Sequence, residues 1–262
     1  MFKPNLASSD MTKLVYDGTF EGLLTAIFEI YERKLGFVDL QNTELFNTAL
    51  FEDIVHVITD EVKAKRVLKG LRQKLSPDWV QRIYIAHLAG IENEDNNIAG
   101  FIRYTFDSAV NIQDNYGNRY VNRVSEIVVK MRREKHRMEA FIRFQKLKDE
   151  TFYAVIEPDF NVLPLLIKHF KSRYADQKWI IYDIRRKYGL YYDLHDAEFI
   201  TMEFSEVKNP VAVIAAFTED ETVYQQLWKI YFSSVNIASR KNTKLHVRHI
   251  PKRYWKHLTE KI

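Results

Sequence analysis

The segment from Arg119 to Met138 constrains the fold more than any other stretch of the chain. On a helical wheel at about 100° per residue, Arg123, Lys130, Arg133 and Arg137 fall within about 40° of Arg119. Tyr120, Val124, Ile127, Met131 and Met138 occupy a neighbouring face. A stretch with this periodicity is an amphipathic helix that buries one side and shows a basic stripe beside it. Glu126 interrupts the stripe. A helix of this kind needs a packed partner, so the chain around it must supply a core.

The residues before it alternate between strand and helix signals. Lys13–Asp17 reads as a short strand. Thr19 can cap a helix carrying Phe20, Leu23, Leu24, Ile27 and Tyr31 at helical spacing. Ile54–Ile58 is a second strand-length apolar run. Asp60 caps a helix with Val67, Leu68, Leu71 and Leu75 on its buried face. Ser76-Pro77-Asp78 is a helix start with proline at the first position; that helix ends near Gly90, and another carries Ile98, Phe101, Ile102 and Thr105. After the long helix the pattern changes. Phe141–Leu147 and Phe152–Glu157 read as a hairpin around Lys148-Asp149-Glu150, and Val162–Tyr174 as a helix with Asp159 or Asn161 as its cap. Trp179–Asp183, Gly189–Leu194 and Phe199–Phe204 read as strands, and Glu221–Val235 as a last helix. The expected class is α+β: an antiparallel sheet with packed helices and a helix-rich N-terminal part. The chain, 1–262, is read as a single domain with a sub-boundary near 115. Residues 1–115 are expected to be mainly helical with short strands, and residues 116–262 to be α+β.

Composition narrows the chemistry. There is no cysteine among the 262 residues. The chain therefore uses no disulfide, thiolate zinc site, cysteine-held cluster or cysteine nucleophile, and a cytoplasmic location is expected. No apolar core of a signal peptide stands in Met1–Met11, and no run reaches the length of a membrane span. The motifs of phosphate-binding loops, dinucleotide sites, zincins and α/β-hydrolases are missing. Neither cofactor nor metal is expected. The net charge of +4 is unevenly spread. Asn118–Lys148 holds ten Lys/Arg against three Glu, and Asn236–Ile262 eight Lys/Arg against one Glu. Segregated basic charge suits a polyanion, because each neutralised phosphate releases counterions. It suits a solvated helix face equally well.

The residues that could contact nucleic acid are Arg119, Arg123, Lys130, Arg133 and Arg137 on the helix, Arg143 beside Phe141, and Arg240, Lys241, Lys252 and Arg253 in the tail. There, basic residues interleave with Tyr254 and Trp255, a mixture that can hold phosphate and stack bases. Trp255 is expected in the core. Catalytic candidates are Glu157, His169 and Asp183. With Asp159 they could gather around a metal, but no usual ligand spacing is present, and capping or ion pairing is the commoner role. Glu206-Val207-Lys208 has the E-x-K form of some nucleases, a match too short to weigh.

Five segments together resemble a bacterial family assigned to DNA metabolism and DNA repair. These are Tyr16-Asp17-Gly18-Thr19-Phe20-Glu21-Gly22, Glu134–Phe144, Glu157-Pro158 through Arg173, Trp179-Ile180-Ile181-Tyr182-Asp183, and Ile250–Trp255. The family is encoded beside a radical-SAM protein, and some members carry a fused uracil-DNA glycosylase-type domain, which is not expected in this chain. The resemblance implies DNA and the radical-SAM protein as partners and supplies no catalytic residue. Lacking cysteine, the chain would be the partner of that enzyme and not the enzyme. Three readings follow: a nucleic-acid-binding accessory protein, a nucleic-acid hydrolase with an acidic/His site, and an interaction scaffold without DNA affinity.

Overall fold

The computed structural model describes residues 12–36, 38–43, 54–201, 247 and 250–259. It divides into two compact units, Met1–Met131 and Arg132–Ile262.

In the first unit, β1 (Thr12–Tyr16) runs between β2 (Val38–Asn42) and β3 (Ile54–His56), parallel to both. Leu14, Val15 and Tyr16 are buried, so consecutive side chains on both faces are covered, as a central parallel strand requires. A parallel neighbour needs a crossover, and α1 (Phe20–Glu32) provides it. The turn into α1 is made by Gly18 at φ +79. Thr19 then caps the helix by accepting from the Gly22 N–H at 2.9 Å. Asp60 and Ser76 cap α2 (Glu61–Lys74) and α3 (Pro77–Leu88) as expected from their positions. α4 (Glu94–Asp107) contributes Ile98, Phe101 and Ile102 to the core. At Gly100 a Cβ would stand 2.3 Å from the Tyr120 ring, so only glycine allows that ring its place. β2 was not anticipated: V-D-L-Q-N buries only Leu40, leaving little apolar signal.

α5 (Arg119–Phe141) buries Val121, Val124, Ile127, Val128, Met131 and Met138, giving the amphipathic pattern read from its spacing. It runs three residues past Met138. It thereby consumes Phe141 and reduces the first hairpin strand to β4 (Gln145–Lys146).

The second unit is built on a five-stranded sheet in the order β4-β5-β6-β7-β8. The strands after β4 are β5 (Phe152–Ile156), β6 (Trp179–Asp183), β7 (Tyr188–Tyr192) and β8 (Ala197–Ile200). The pairs β4–β5, β6–β7 and β7–β8 are antiparallel, while β5–β6 is parallel through the crossover helix α6 (Leu163–Arg173). The α+β class therefore holds, with one parallel step inside the sheet. The core is aromatic. Trp179, fully buried, stacks on Tyr192 at 5.3 Å and meets Phe170 edge-on at 6.0 Å. Neither Asp159 nor Asn161 caps α6, whose N-cap is Val162 without a side-chain bond. Both residues are engaged elsewhere, as described below. A 3-10 helix, Lys252–His257, ends the described chain. Within it Tyr254 is buried and Trp255 only half-buried, its indole N–H donating to the Ile250 carbonyl at 3.0 Å. This corrects the expectation that Trp255 is the core residue: the tight 3-10 turn directs its neighbour inward. No helix among the described residues is long and apolar enough to cross a membrane. The segments Glu206-Val207-Lys208 and Glu221–Val235 lie outside the described residues.

Candidate functional site

Open sheets with parallel strands place sites outside the carboxyl ends of those strands. In the second unit that position follows β5 and β6, where Ile156 is paired with Asp183. Asp183 is fully buried. Its Oδ1 accepts from the Arg185 and Arg186 N–H groups at 2.9 and 3.1 Å, and its Oδ2 from the Arg186 guanidinium at 2.8 Å. The guanidiniums of Arg185 and Arg186 also donate to the Asp159 carbonyl, and Arg186 to that of Pro158. Two arginines thus lie over the loop 157–161. Asn161 on that loop accepts from the Tyr188 hydroxyl.

The loop is also tied to α5. Glu134 interrupts the helix's apolar face and is only 1% exposed. A buried carboxylate is costly unless its oxygens are met by donors. Here the Tyr254 hydroxyl stands 2.6 Å from both oxygens, the Asp159 N–H lies at 3.0 Å and the Arg253 guanidinium at 3.1 Å, with Arg137 at 3.6 Å. Burial, and then the bond to Glu134, pushes the Tyr254 phenol far up, so it remains a donor. Arg253 pairs with Asp159 at 2.8 Å and lies over the Tyr254 ring at 4.5 Å. Lys256 pairs with Glu157; that bond outweighs burial and holds Glu157 below the usual carboxylate range. Burial pushes His257 down.

The three catalytic candidates each have a partner of their own. Glu157 is held by Lys256, Asp183 caps its turn and pairs with Arg186, and His169 stands 3.6 Å from Glu139. No group of three His, Asp or Glu that could hold a metal occurs among the described residues. The basic candidates separate into two kinds. Arg119 is held on Tyr120, Arg123 bonds to buried Glu94 at 2.9 Å, and Arg143 donates to the Ala140 carbonyl at the end of α5. Arg137 and Arg253 converge on Glu134. Lys130 and Arg133 are exposed and have no ion-pair partner among the described residues. Lys252 is exposed, its ammonium 6.0 Å over the Trp255 ring. Arg240 and Lys241 lie outside the described residues.

A second cluster, at the carboxyl end of β1, was not foreseen. Asp17 accepts from the Thr19 hydroxyl and the Thr59 hydroxyl, both at 2.7 Å. Burial pulls its pKa up, but these bonds together leave it below the usual value. Gly22 makes the room, since a Cβ there would stand 2.2 Å from the Asp17 carboxylate. Next to it, Tyr16 donates to Asp95 at 2.5 Å. His87 bridges Asp95 and the Gly18 carbonyl at 3.0 and 3.1 Å. The Tyr16–Gly22 segment was the available signal; nothing local tied His87 or Asp95 to it.

Residues 92–260 match the DUF4130 family, a domain of unknown function, and the chain belongs to that family. No curated protein matches the chain. Among solved structures it is similar to a pGpG-specific phosphodiesterase, PggH, from Vibrio cholerae. The identity is 10%, covering 70% of this chain and 81% of that one, with a TM-score of 0.32.

Proposed function

We propose that this protein binds DNA as the accessory partner of a radical-SAM enzyme in a repair or modification system. The binding surface lies in the second unit and comprises Arg133, Arg137, Lys252 and Arg253. The observation that supports it is the arrangement around Glu134. A single buried carboxylate draws Arg137 and Arg253 together, leaving the exposed Arg133 beside them without an acid of its own. Lys252 next to Arg253 offers an ammonium and an indole side by side, the groups that take a phosphate and a base. The acids that a hydrolase would need are each engaged by a cation or a cap, which weighs against that alternative. The radical-SAM partner rests on the family resemblance and on the lack of cysteine, which leaves cluster chemistry to another chain.

The test is binding of labelled single- and double-stranded DNA across a salt series. Log affinity should fall linearly with log salt. Arg133→Glu with Lys252→Glu should remove most low-salt binding and flatten the slope by about 0.7–0.9 per lost contact. Unchanged affinity in this variant would sink the surface. Absence of DNA binding together with co-purification of the radical-SAM protein would favour the scaffold reading.

A further inference from the structure

The first unit holds a groove of about 470 Å³ that the DNA surface does not use. It is formed by the start of α1, the second half of α2 and the start of α3. Its apolar walls include Phe20, Leu68, Val80 and Tyr84, and Arg72 and Gln81 also line it. The Phe20 and Tyr84 rings meet edge-on, 5.3 Å apart at 77°, which sets two aromatic surfaces at right angles on one side. The size lies within the range of small-ligand sites, which are mostly apolar with a few convergent polar groups.

Those polar groups are idle. The Tyr84 hydroxyl, the Gln81 amide and the Arg72 guanidinium make no hydrogen bond or ion pair among the described residues. Burial, and then the nearby Glu21 charge, raises the Tyr84 pKa, so its hydroxyl keeps a proton to donate. The amide offers both a donor and an acceptor, and the guanidinium a planar fork suited to phosphate. A ligand satisfying all three is flat and partly apolar, has a hydrogen-bonding edge and carries an anion.

We infer that this groove binds one nucleotide of a single strand, with its base against Phe20 and Tyr84, its edge on Gln81 and the Tyr84 hydroxyl, and its phosphate on Arg72. The nucleic-acid reading supplies the choice of ligand, but none of the residues of the proposed DNA surface takes part. Glu21 lies near the ring, and its charge disfavours a second phosphate on that side.

The experiment is a ¹H–¹⁵N titration of the full chain with the four deoxynucleoside 5′-monophosphates, the matching nucleosides and inorganic phosphate. Amides of α2 and α3 around the groove should shift with the monophosphates at roughly millimolar concentration. Arg72→Gln should weaken nucleotide binding about tenfold and leave nucleosides unaffected, since a charge-assisted bond is lost. Gln81→Ala should narrow the differences between bases. Both positions are exposed, so the fold is retained, and Tyr84→Phe removes the hydroxyl while keeping the ring. The inference is overturned if no α2 or α3 amide moves with nucleotides, if phosphate alone gives the same shifts, or if Arg72→Gln changes nothing. Oligonucleotide binding that persists without nucleotide binding overturns the groove alone. Nucleotide binding that persists after Arg133→Glu and Lys252→Glu abolish oligonucleotide binding supports the groove as an independent site.

Discussion

The two units place acids at the same topological position, the carboxyl ends of parallel strands, and satisfy them by opposite means. After β1, Asp17 is met by the hydroxyls of Thr19 and Thr59, groups within a few residues of the strand ends, with Gly22 clearing the space. After β5 and β6, Asp183, Asp159 and Glu157 are met by Arg186, Arg253 and Lys256. Neutral hydroxyls satisfy an acid without adding charge. Cations do so by cancelling the charge, while their remaining N–H groups stay as donors at the surface. The first end is therefore a closed structural turn, whereas the second brings cationic donors to the surface.

The largest effect should come from removing the buried acid of the second unit. Glu134→Leu removes the acceptor of the Tyr254 hydroxyl and of the Asp159 N–H, and the anion that faces Arg137 and Arg253, and should cost about 3–5 kcal/mol in denaturant unfolding. A cost below about 1 kcal/mol would break the view that this carboxylate organises the cationic end. Tyr254→Phe leaves Glu134 the Arg253 and Asp159 donors and should cost about 1–3 kcal/mol. In the first unit, Gly22→Ala pushes a methyl against the Asp17 carboxylate, and a loss of about 1–3 kcal/mol is expected from overpacking. Thermal melts of the three variants would rank them.

A finer contrast comes from acid titration of Asp17 and Glu157 by carboxyl NMR. Both sit below their ordinary values of 3.8 and 4.5. Each therefore contributes stability that is present above its ordinary value and is lost as pH falls through the lowered one. High salt should move Glu157 back toward its ordinary value, because its partner is an ammonium at the surface. Asp17, held by hydroxyls, should stay in place. Equal salt sensitivity would erase the distinction between the two ends. At the bottom of the scale, Glu61→Gln removes a fully exposed pair with Lys65 and should leave the melting curve unchanged.

Local features were legible in the sequence, and distant ones were not. The caps Thr19, Asp60 and Ser76-Pro77 work through bonds to their own helices, so position alone reveals them. The amphipathic face of α5 was likewise readable from spacing. β2 escaped because D and Q alternate with V and L in a strand that buries one residue. The parallel β5–β6 pair was missed although the helix over Val162–Tyr174 was read between the two strands, because the hairpin before it and the short connections after it suggested an antiparallel sheet throughout. Glu134 resembled any other charge on a basic helix, since its donors lie at Asp159 and Tyr254. The His87–Asp95–Tyr16 network failed for the same reason: its members come from three elements.

The bond between Glu134 and Tyr254 spans 120 residues of sequence. At a synthesis rate of about 5–20 residues per second, the carboxylate is made roughly 6–24 s before the hydroxyl that donates to both its oxygens. For that interval Glu134 has the Arg137 guanidinium and the Asp159 N–H beside it but lacks Arg253 and the Tyr254 hydroxyl, so α5 keeps a half-satisfied carboxylate on the face it packs. The last step in locking this half is thereby timed by the ribosome, and the second unit should gain its full resistance to proteolysis only after Tyr254 has emerged.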